Sequence, residues 1–406
     1  MRLARHGTAR YPWDTPVDVL SNQFFSHMER RDFAKKALLG AAGAGVLGGC
    51  SDSESDDGGG APNVQPNTQV RWRLASSFSR SLDTIYGAAE VLSDRLETLT
   101  DGNFQIRTYP GGELVPPLEV LGSVQNGTVE MGHSASYYFI GKNPALAFDC
   151  TVPFGLTARQ YRAWIYYGGG LELMRDLFSD FNILNLPGGN TGTQMGGWFN
   201  VDVSALSDMD GLKMRIPGLG GEVMTEMGVN TQVLPSGEIY PSLERGAIDA
   251  AEWVGPYDDE KLGFHEVADY YYYPGWWEPG PALTFYVNRD AYDKLPTQYQ
   301  EALKTAAAEA DLHMLAQYDH KNPAALDRLL DEGTTLRRFP DEVMTRAQDI
   351  TEQLLQDNAA GNQQYRKIYD AYREARENAY RWFGTAEMGY ADFAFPRMGE
   401  NVGDST

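Results

Sequence analysis

Four polar residues stand where an unpaired polar side chain is costly. Arg215 lies in Lys213-Met214-Arg215-Ile216-Pro217, an alternating stretch. If Met214 and Ile216 face a core, Arg215 faces the other side of the strand, toward a cleft. A buried guanidinium needs a partner. A ligand carboxylate could accept a two-point hydrogen bond from it, or an acid of the protein could pair with it; the sequence leaves both open. Glu252 sits between Ala251 and Trp253 on a stretch that reads as a buried strand, and it wants a cation. Glu278, in Trp276-Trp277-Glu278-Pro279-Gly280, is a second acid in an aromatic setting. Gln194 is polar among small and apolar neighbours, and the glycines around it allow close backbone approach. Aromatic clusters are more often core than ligand walls, but two acids, each beside a Trp, favour a site.

Signatures of catalysis are missing. There is no GxSxG and no HExxH, because His265-Glu266 is not followed by a second His at the required spacing. No CxxC occurs. Gly218-Leu219-Gly220-Gly221 follows a strand and precedes a helix, but Val223 stands where a dinucleotide fingerprint needs its third small residue. A tight turn into a helix is the plain reading. Binding a small carboxylate therefore leads. A metal-dependent enzyme acting on such a carboxylate between Glu252 and Glu278 is the alternative, and an anchored scaffold without a small ligand is a third class.

The elements that would carry these residues alternate. Residues 70–75 read as a strand, 84–98 as a helix with Ile85, Ala88, Ala89, Leu92 and Leu96 on one stripe, and 104–109 as a strand. A helix over 116–125 and a strand over 129–134 complete a β-α-β-α-β set. A second set follows, with strands at 194–200, 213–216, 231–234 and 247–254 and helices at 220–227 and 236–245. Two α/β sets predict two lobes with a cleft between them, a preferred place for a ligand. The segments 297–332 and 341–383 read as long helices, each beyond the usual length, which suits bridging lobes or packing on another subunit.

The N-terminal part carries export signals. Arg30-Arg31 with Phe33 and Lys35 resembles a twin-arginine signal. The apolar run 37–49 is too short to span a bilayer, and Leu47-Gly48-Gly49-Cys50 resembles a lipobox, which would lipidate Cys50. Met28 stands where such a signal normally begins, so 1–27 reads as an over-extended start. Residues 51–69, acidic and rich in glycine, read as a flexible tether. The formal charge of −22 excludes nucleic acid as a partner and disfavours adhesion to an anionic membrane. Cys150, in an apolar run, reads as a core residue.

Six stretches in one order resemble the solute receptors of tripartite ATP-independent periplasmic (TRAP) transporters. They are 79–90 (SRSLDTIYGAAE), 109–114 (YPGGEL), 189–199 (GNTGTQMGGWF), 212–218 (LKMRIPG), 238–253 (EIYPSLERGAIDAAEW) and 273–280 (YPGWWEPG). The likeness is greatest to the branch that binds 2-oxo acids, lactate and related monocarboxylates. It implies a two-lobed α/β fold like that of periplasmic binding proteins, with crossing strands and long C-terminal helices, and no enzymatic activity. It implies that Arg215 clamps the carboxylate of a small organic acid such as pyruvate or lactate. In that branch a bridging Na+ or Ca2+ is also implied, held by Gln194, Glu252, Glu278 and the Trp253 carbonyl. Gln194, Trp253 and Tyr138 are implied for the pocket wall. The implied partners are the small and large membrane components of the transporter. A homodimer is also expected, with apolar contacts from Leu354, Leu355, Tyr365, Ile368 and Tyr369. The resemblance divides the chain into an export signal (1–49), a tether (50–69), the first part of lobe I (70–190) and the main part of lobe II (191–278). Returning strands and helices (279–340) and a long C-terminal helix with its tail (341–406) complete it. The tether and lipobox depart from relatives that are free in the periplasm.

Overall fold

In the computed structural model, which describes residues 68–398, the chain builds two separate sheets. The segments expected to form the export signal and the tether, up to residue 67 and including Cys50, lie outside the described residues. Strand β1 (Val70–Ser76) buries Trp72 and Leu74 and exposes Arg71 and Arg73, as its alternation requires. Helix α1 (Gly87–Leu99) buries Ala88, Ala89, Leu92 and Leu96; Ile85 lies just ahead of it in a turn and is buried as well. Strand β2 (Phe104–Tyr109), α2 (Val120–Gln125) and β3 (Met131–Ser134) follow. Then come α3 (Ala158–Tyr167), α4 (Gly170–Ser179) and β4 (Ile183–Asn190).

The chain next crosses to the second sheet. There it forms β5 (Trp198–Phe199), β6 (Lys213–Arg215), α5 (Gly218–Glu226), β7 (Asn230–Gln232) and α6 (Ser236–Glu244). Strand β8 (Ala250–Ala251), α7 (Pro256–Leu262) and β9 (Tyr270–Tyr273) complete this stretch. The return leg gives β10 (Ala282–Asn288), which inserts antiparallel between β3 and β4. After it come α8 (Arg289–Tyr292), α9 (Thr297–Asp331) and β11 (Thr335–Arg338), which joins the second sheet beside β9. Helices α10 (Asp341–Gly361), α11 (Gln363–Phe383) and α12 (Gly389–Met398) end the described chain. The strand orders are β2-β1-β3-β10-β4 and β11-β9-β5-β8-β6-β7. The fold is two-lobed α/β, with the first sheet at the centre of lobe I and the second at the centre of lobe II.

Three readings are corrected. The strands expected at 194–200 and 247–254 shrink to two residues each, β5 and β8. Their flanks instead bond to neighbouring segments: Gly196 N–H donates to Tyr272 O at 2.6 Å and Met195 N–H to Val254 O at 3.2 Å. The single helix expected over 341–383 is two helices. Gly361 ends α10, and the Asn362 side chain caps α11 by accepting from the Tyr365 amide at 3.0 Å. The third concerns Leu355, Tyr365, Ile368 and Tyr369, which are buried within the chain beside Phe148 and Trp164, and Leu354, which is half-buried. They hold α10 and α11 onto lobe I, so the four buried ones are spent inside the chain rather than presented to a second subunit.

Helix α9 is the bridge. It packs on α1 and β4 in lobe I and on α7 in lobe II, burying Leu303, Ala306, Ala310 and Met314, and further along Tyr318 and Leu329. Cys150 is a buried core residue. Among the described residues, no helix is long and apolar enough to cross a membrane.

Candidate functional site

Strands β6 and β8 run parallel, with Arg215 opposite Ala251. Glu252 therefore emerges one residue past the end of β8, beside the guanidinium, at the carboxyl ends of two parallel strands. Open α/β sheets bind ligands in that position. Met214 and Ile216 enter the lobe II core, so Arg215 points the other way. Its Nη1 donates to Glu252 Oε2 at 2.5 Å and to Glu252 O at 2.7 Å. Its Nε donates to Leu234 O at 3.1 Å, and Nη2 to the Tyr138 hydroxyl at 3.4 Å. These four bonds leave one of the five N–H groups, on Nη2, without an acceptor among the described residues. The Trp253 ring lies under the guanidinium at 5.0 Å, a cation–π contact. Of the two partners left open by the sequence, the protein acid is the one in place.

Gln194 and Glu278 come from the two segments that cross between the sheets, which run side by side. Gln194 N–H donates to Glu278 O at 3.2 Å, and Gly275 N–H to Gln194 O at 3.0 Å. Asn190 Nδ2 donates to Gly280 O at 3.0 Å. The close approach needs glycine, since a Cβ on Gly275 would lie 2.5 Å from Met195 O. Trp276 and Trp277 turn into the core, Trp276 stacking on Phe154 at 5.2 Å, while Glu278 faces Tyr137. The Tyr137 hydroxyl donates to Glu278 Oε2 at 3.5 Å.

The charges do not balance. One guanidinium faces two carboxylates, and Arg215, Glu252 and Glu278 are all at most 2% exposed. Burial pushes both carboxyls upward; Arg215 opposes this at each, and at Glu278 the neighbouring Glu252 adds to the rise. Glu252 is in direct contact with Arg215, whereas Glu278 has no cation in contact among the described residues. Burial likewise pushes the Tyr138 hydroxyl up to about 12, against the pull of Arg215, so it stays neutral while accepting from Arg215. Two neutral oxygens complete the picture. Gln194 Oε1 is buried without a hydrogen-bond partner, its Nε2 being engaged with Thr191 Oγ1 at 3.2 Å. The Trp253 carbonyl accepts no hydrogen bond among the described residues. No group of three or more His, Cys, Asp or Glu side chains is placed to hold a metal ion among the described residues. A donor set of two carboxylates and two orphaned neutral oxygens nevertheless fits a hard cation.

The six residues singled out in the described chain thus lie around one buried centre: Arg215, Glu252, Glu278, Gln194, Trp253 and Tyr138. Sequence reasoning missed Tyr137. It sits in the turn after β3 beside Tyr138, and its ring packs on Gly218, where φ is +66° and a Cβ would lie 3.0 Å from Tyr137 Cβ. The aromatic pair was visible in the sequence, but not which ring faces Glu278. His265 lies outside this centre, near Glu332 at 3.3 Å.

Residues 75–362 match the family described as bacterial extracellular solute-binding protein, family 7. The chain is 49% identical over 367 residues to a monocarboxylate 2-oxoacid-binding periplasmic protein of Nostoc sp., covering 90% of this chain and 99% of that one. It is 48% identical, with a TM-score of 0.80, to a TRAP transporter solute-binding protein from Bordetella bronchiseptica, over 81% of this chain and 98% of that one. That structure is described as a mixed-occupancy dimer with calcium and picolinate in one active site and the other apo. A Pseudoalteromonas atlantica TRAP periplasmic solute-binding protein with bound sodium and pyruvate is 40% identical, with a TM-score of 0.78, over 80% of this chain and 99% of that one.

Proposed function

The chain belongs to family 7 of the bacterial extracellular solute-binding proteins, and on that premise we propose that its buried centre takes a small 2-oxo or 2-hydroxy monocarboxylate, such as pyruvate or lactate, together with Na+ or Ca2+. It is a solute receptor of the TRAP type. The observation that carries the ligand reading is the uncompensated acid: one guanidinium, two buried carboxylates and two orphaned oxygens. With both acids ionised they outweigh the guanidinium, and an anion cannot join them without a heavy desolvation cost. Gln194, Glu252, Glu278 and the Trp253 carbonyl would hold the cation, which would supply positive charge and a contact for hard oxygens. Arg215 orients the solute's carboxylate with the hydrogen left on Nη2 and keeps Glu252 in place; Tyr138 and Trp253 wall the centre. Such a centre favours acids with an oxygen next to the carboxylate over plain fatty acids.

A ligand screen by thermal melting in calcium-containing buffer tests this. Pyruvate, lactate and 2-oxobutyrate should raise the melting temperature well beyond propionate and butyrate at equal concentration. Equal shifts for both groups would remove the cation from the reading. No chemistry on the ligand is proposed, so pyruvate should be recovered unchanged after incubation; its consumption would favour a metal-dependent enzyme.

Three further parts belong to the proposal. The lobes divide near residues 190 and 278, where the chain crosses between sheets, and the solute is delivered to the small and large membrane components of the transporter. Export through Arg30-Arg31 and lipidation at Cys50 anchor the mature protein outside the cytoplasm. Mass spectrometry of membrane-extracted protein should find an acylated N-terminal Cys50, and a soluble form beginning elsewhere would refute it. The chain also forms a homodimer, now supported by a different surface. Trp382, Met388, Tyr390 and Phe395 are each at least 60% exposed near the C-terminal end of the described chain, and exposed apolar patches mark interaction sites. Light scattering should give two chains' mass at micromolar protein and one chain's mass for Trp382→Glu/Tyr390→Glu. One chain's mass for the parent would refute it.

A further inference from the structure

The centre is closed over by protein, so a solute reaches or leaves it only when the lobes part. Ties between the lobes outside the centre then govern how long a solute stays. This step rests on the receptor reading above. Asp83 lies in lobe I, between β1 and α1, close to Tyr86, whose hydroxyl donates to Thr108 of β2 at 3.1 Å. Facing it is α7 of lobe II. That helix is fixed to the second sheet through Asp259, which accepts from Trp198 Nε1 of β5 at 3.0 Å and from the Tyr271 hydroxyl of β9 at 2.7 Å.

Asp83 spans the gap. Its Oδ2 accepts the Tyr257 hydroxyl of α7 at 3.0 Å, and its Oδ1 pairs closely with the Lys261 ammonium of the same helix. Lys261 also reaches Ser81 O at 3.4 Å. Lys321, on the bridging helix α9, approaches Asp83 Oδ2 at 3.5 Å and donates to Thr84 Oγ1 at 3.2 Å. Both ammonium groups stand over the Tyr257 ring, 4.4 and 4.5 Å from its centre. The remaining side-chain bonds of α7 among the described residues run to α9 or stay within lobe II: Tyr318 to Asp258 at 2.7 Å, and Arg328 to Glu260 at 2.7 and 2.6 Å. Asp83, together with Ser81 O, is therefore the direct link between lobe I and α7 among the described residues. Burial opposes its ionisation, yet the bonds from Lys261 and Tyr257 and the two ammonium charges hold its carboxyl below the usual carboxylate range.

We propose that Asp83, Tyr257, Lys261 and Lys321 form a latch between the lobes that slows release of the bound solute, with Asp83 as its positioning residue. None of the four is bonded to Arg215, Glu252 or Glu278, so the latch acts on closure and not on the solute. The Asp83 side chain is 51% exposed; an isolated pair at such a site is worth little, and here one carboxylate serves two cations and a hydroxyl.

The test is the dissociation rate of pyruvate in calcium-containing buffer, followed by stopped-flow tryptophan fluorescence. Asp83→Asn and Lys261→Met should each speed release about three- to tenfold, with association changed far less. Asp83→Glu should restore most of the parent's rate, and the double variant should be no faster than the faster single one. Release at the parent's rate in both single variants, or effects that add fully, would overturn the latch. A parent that does not bind pyruvate would overturn the ligand reading alone. The latch is then decided by small-angle scattering of the ligand-free protein. There Asp83→Asn should give a larger radius of gyration than the parent, and equal radii would overturn it.

Discussion

Replacing Arg215 by lysine keeps one positive charge in the cleft and removes the planar fork. The bonds to Leu234 O at 3.1 Å and to Tyr138 at 3.4 Å cannot be made by one ammonium group that also stays on Glu252. Loss of one charge-assisted bond to a ligand carboxylate costs about 1.5–3 kcal/mol, or roughly ten- to hundredfold in Kd. The ligand-free protein is weakened too, because a buried acceptor left unmet costs about 1–3 kcal/mol. Calorimetric titration with pyruvate in calcium buffer, run beside urea unfolding of the ligand-free protein, separates the two effects. Both should appear in Arg215→Lys. Unchanged affinity with lowered stability would mean that Arg215 serves Glu252 and the fold. Unchanged stability with lost affinity would mean that the bonds to Leu234 and Tyr138 carry little weight in the ligand-free state.

Glu278→Gln removes the acid that has no cation in contact. Unfolding should show ligand-free stability equal to or above the parent's, while pyruvate affinity in calcium buffer drops at least about tenfold; a clear loss of stability would show that Glu278 supports the fold. Asp149 is a separate buried acid, raised to about 6 by burial although Ser136, Thr284 and Asn185 all donate to it. The unfolded chain ionises first as pH rises from about 4 to 6, so the parent loses stability across that window and stays lower above it. Asp149→Asn should remove this slope, so that the variant gains on the parent by about 2–3 kcal/mol between pH 4 and 7 in urea unfolding curves. An identical difference at every pH would refute it.

The placement of Arg215 was legible because Met214 and Ile216 are apolar on either side of it, and alternation then decides which face each takes. Its pairing with Glu252 was not, since the two lie 37 positions apart and meet only through the parallel neighbours β6 and β8. The two-residue strands β5 and β8 read too long because their flanks have strand-like composition but bond elsewhere: the Gln194 and Met195 amides go to Glu278 O and Val254 O, and the Val254 amide goes to Asp259 Oδ1. The break at Asn362 was written in the sequence as Gly361-Asn362, a helix stop followed by a cap. It was overridden by the continuous apolar spacing on both sides. The side chains of Tyr137 and Tyr138 leave one short turn in different directions, and local sequence carries no signal for which meets Glu278 and which meets Arg215.

The cation-bridged site is tested most directly by titrating pyruvate calorimetrically into the parent before and after chelation and sodium removal, and then into Glu252→Gln under the same conditions. Affinity for the parent should fall at least about tenfold when both ions are withdrawn and return when either is restored, because ion and solute share ligands. Glu252→Gln should bind weakly throughout. Equal affinity in every condition, with Glu252→Gln binding as well as the parent, would mean that no cation joins the solute and that the two acids serve the fold.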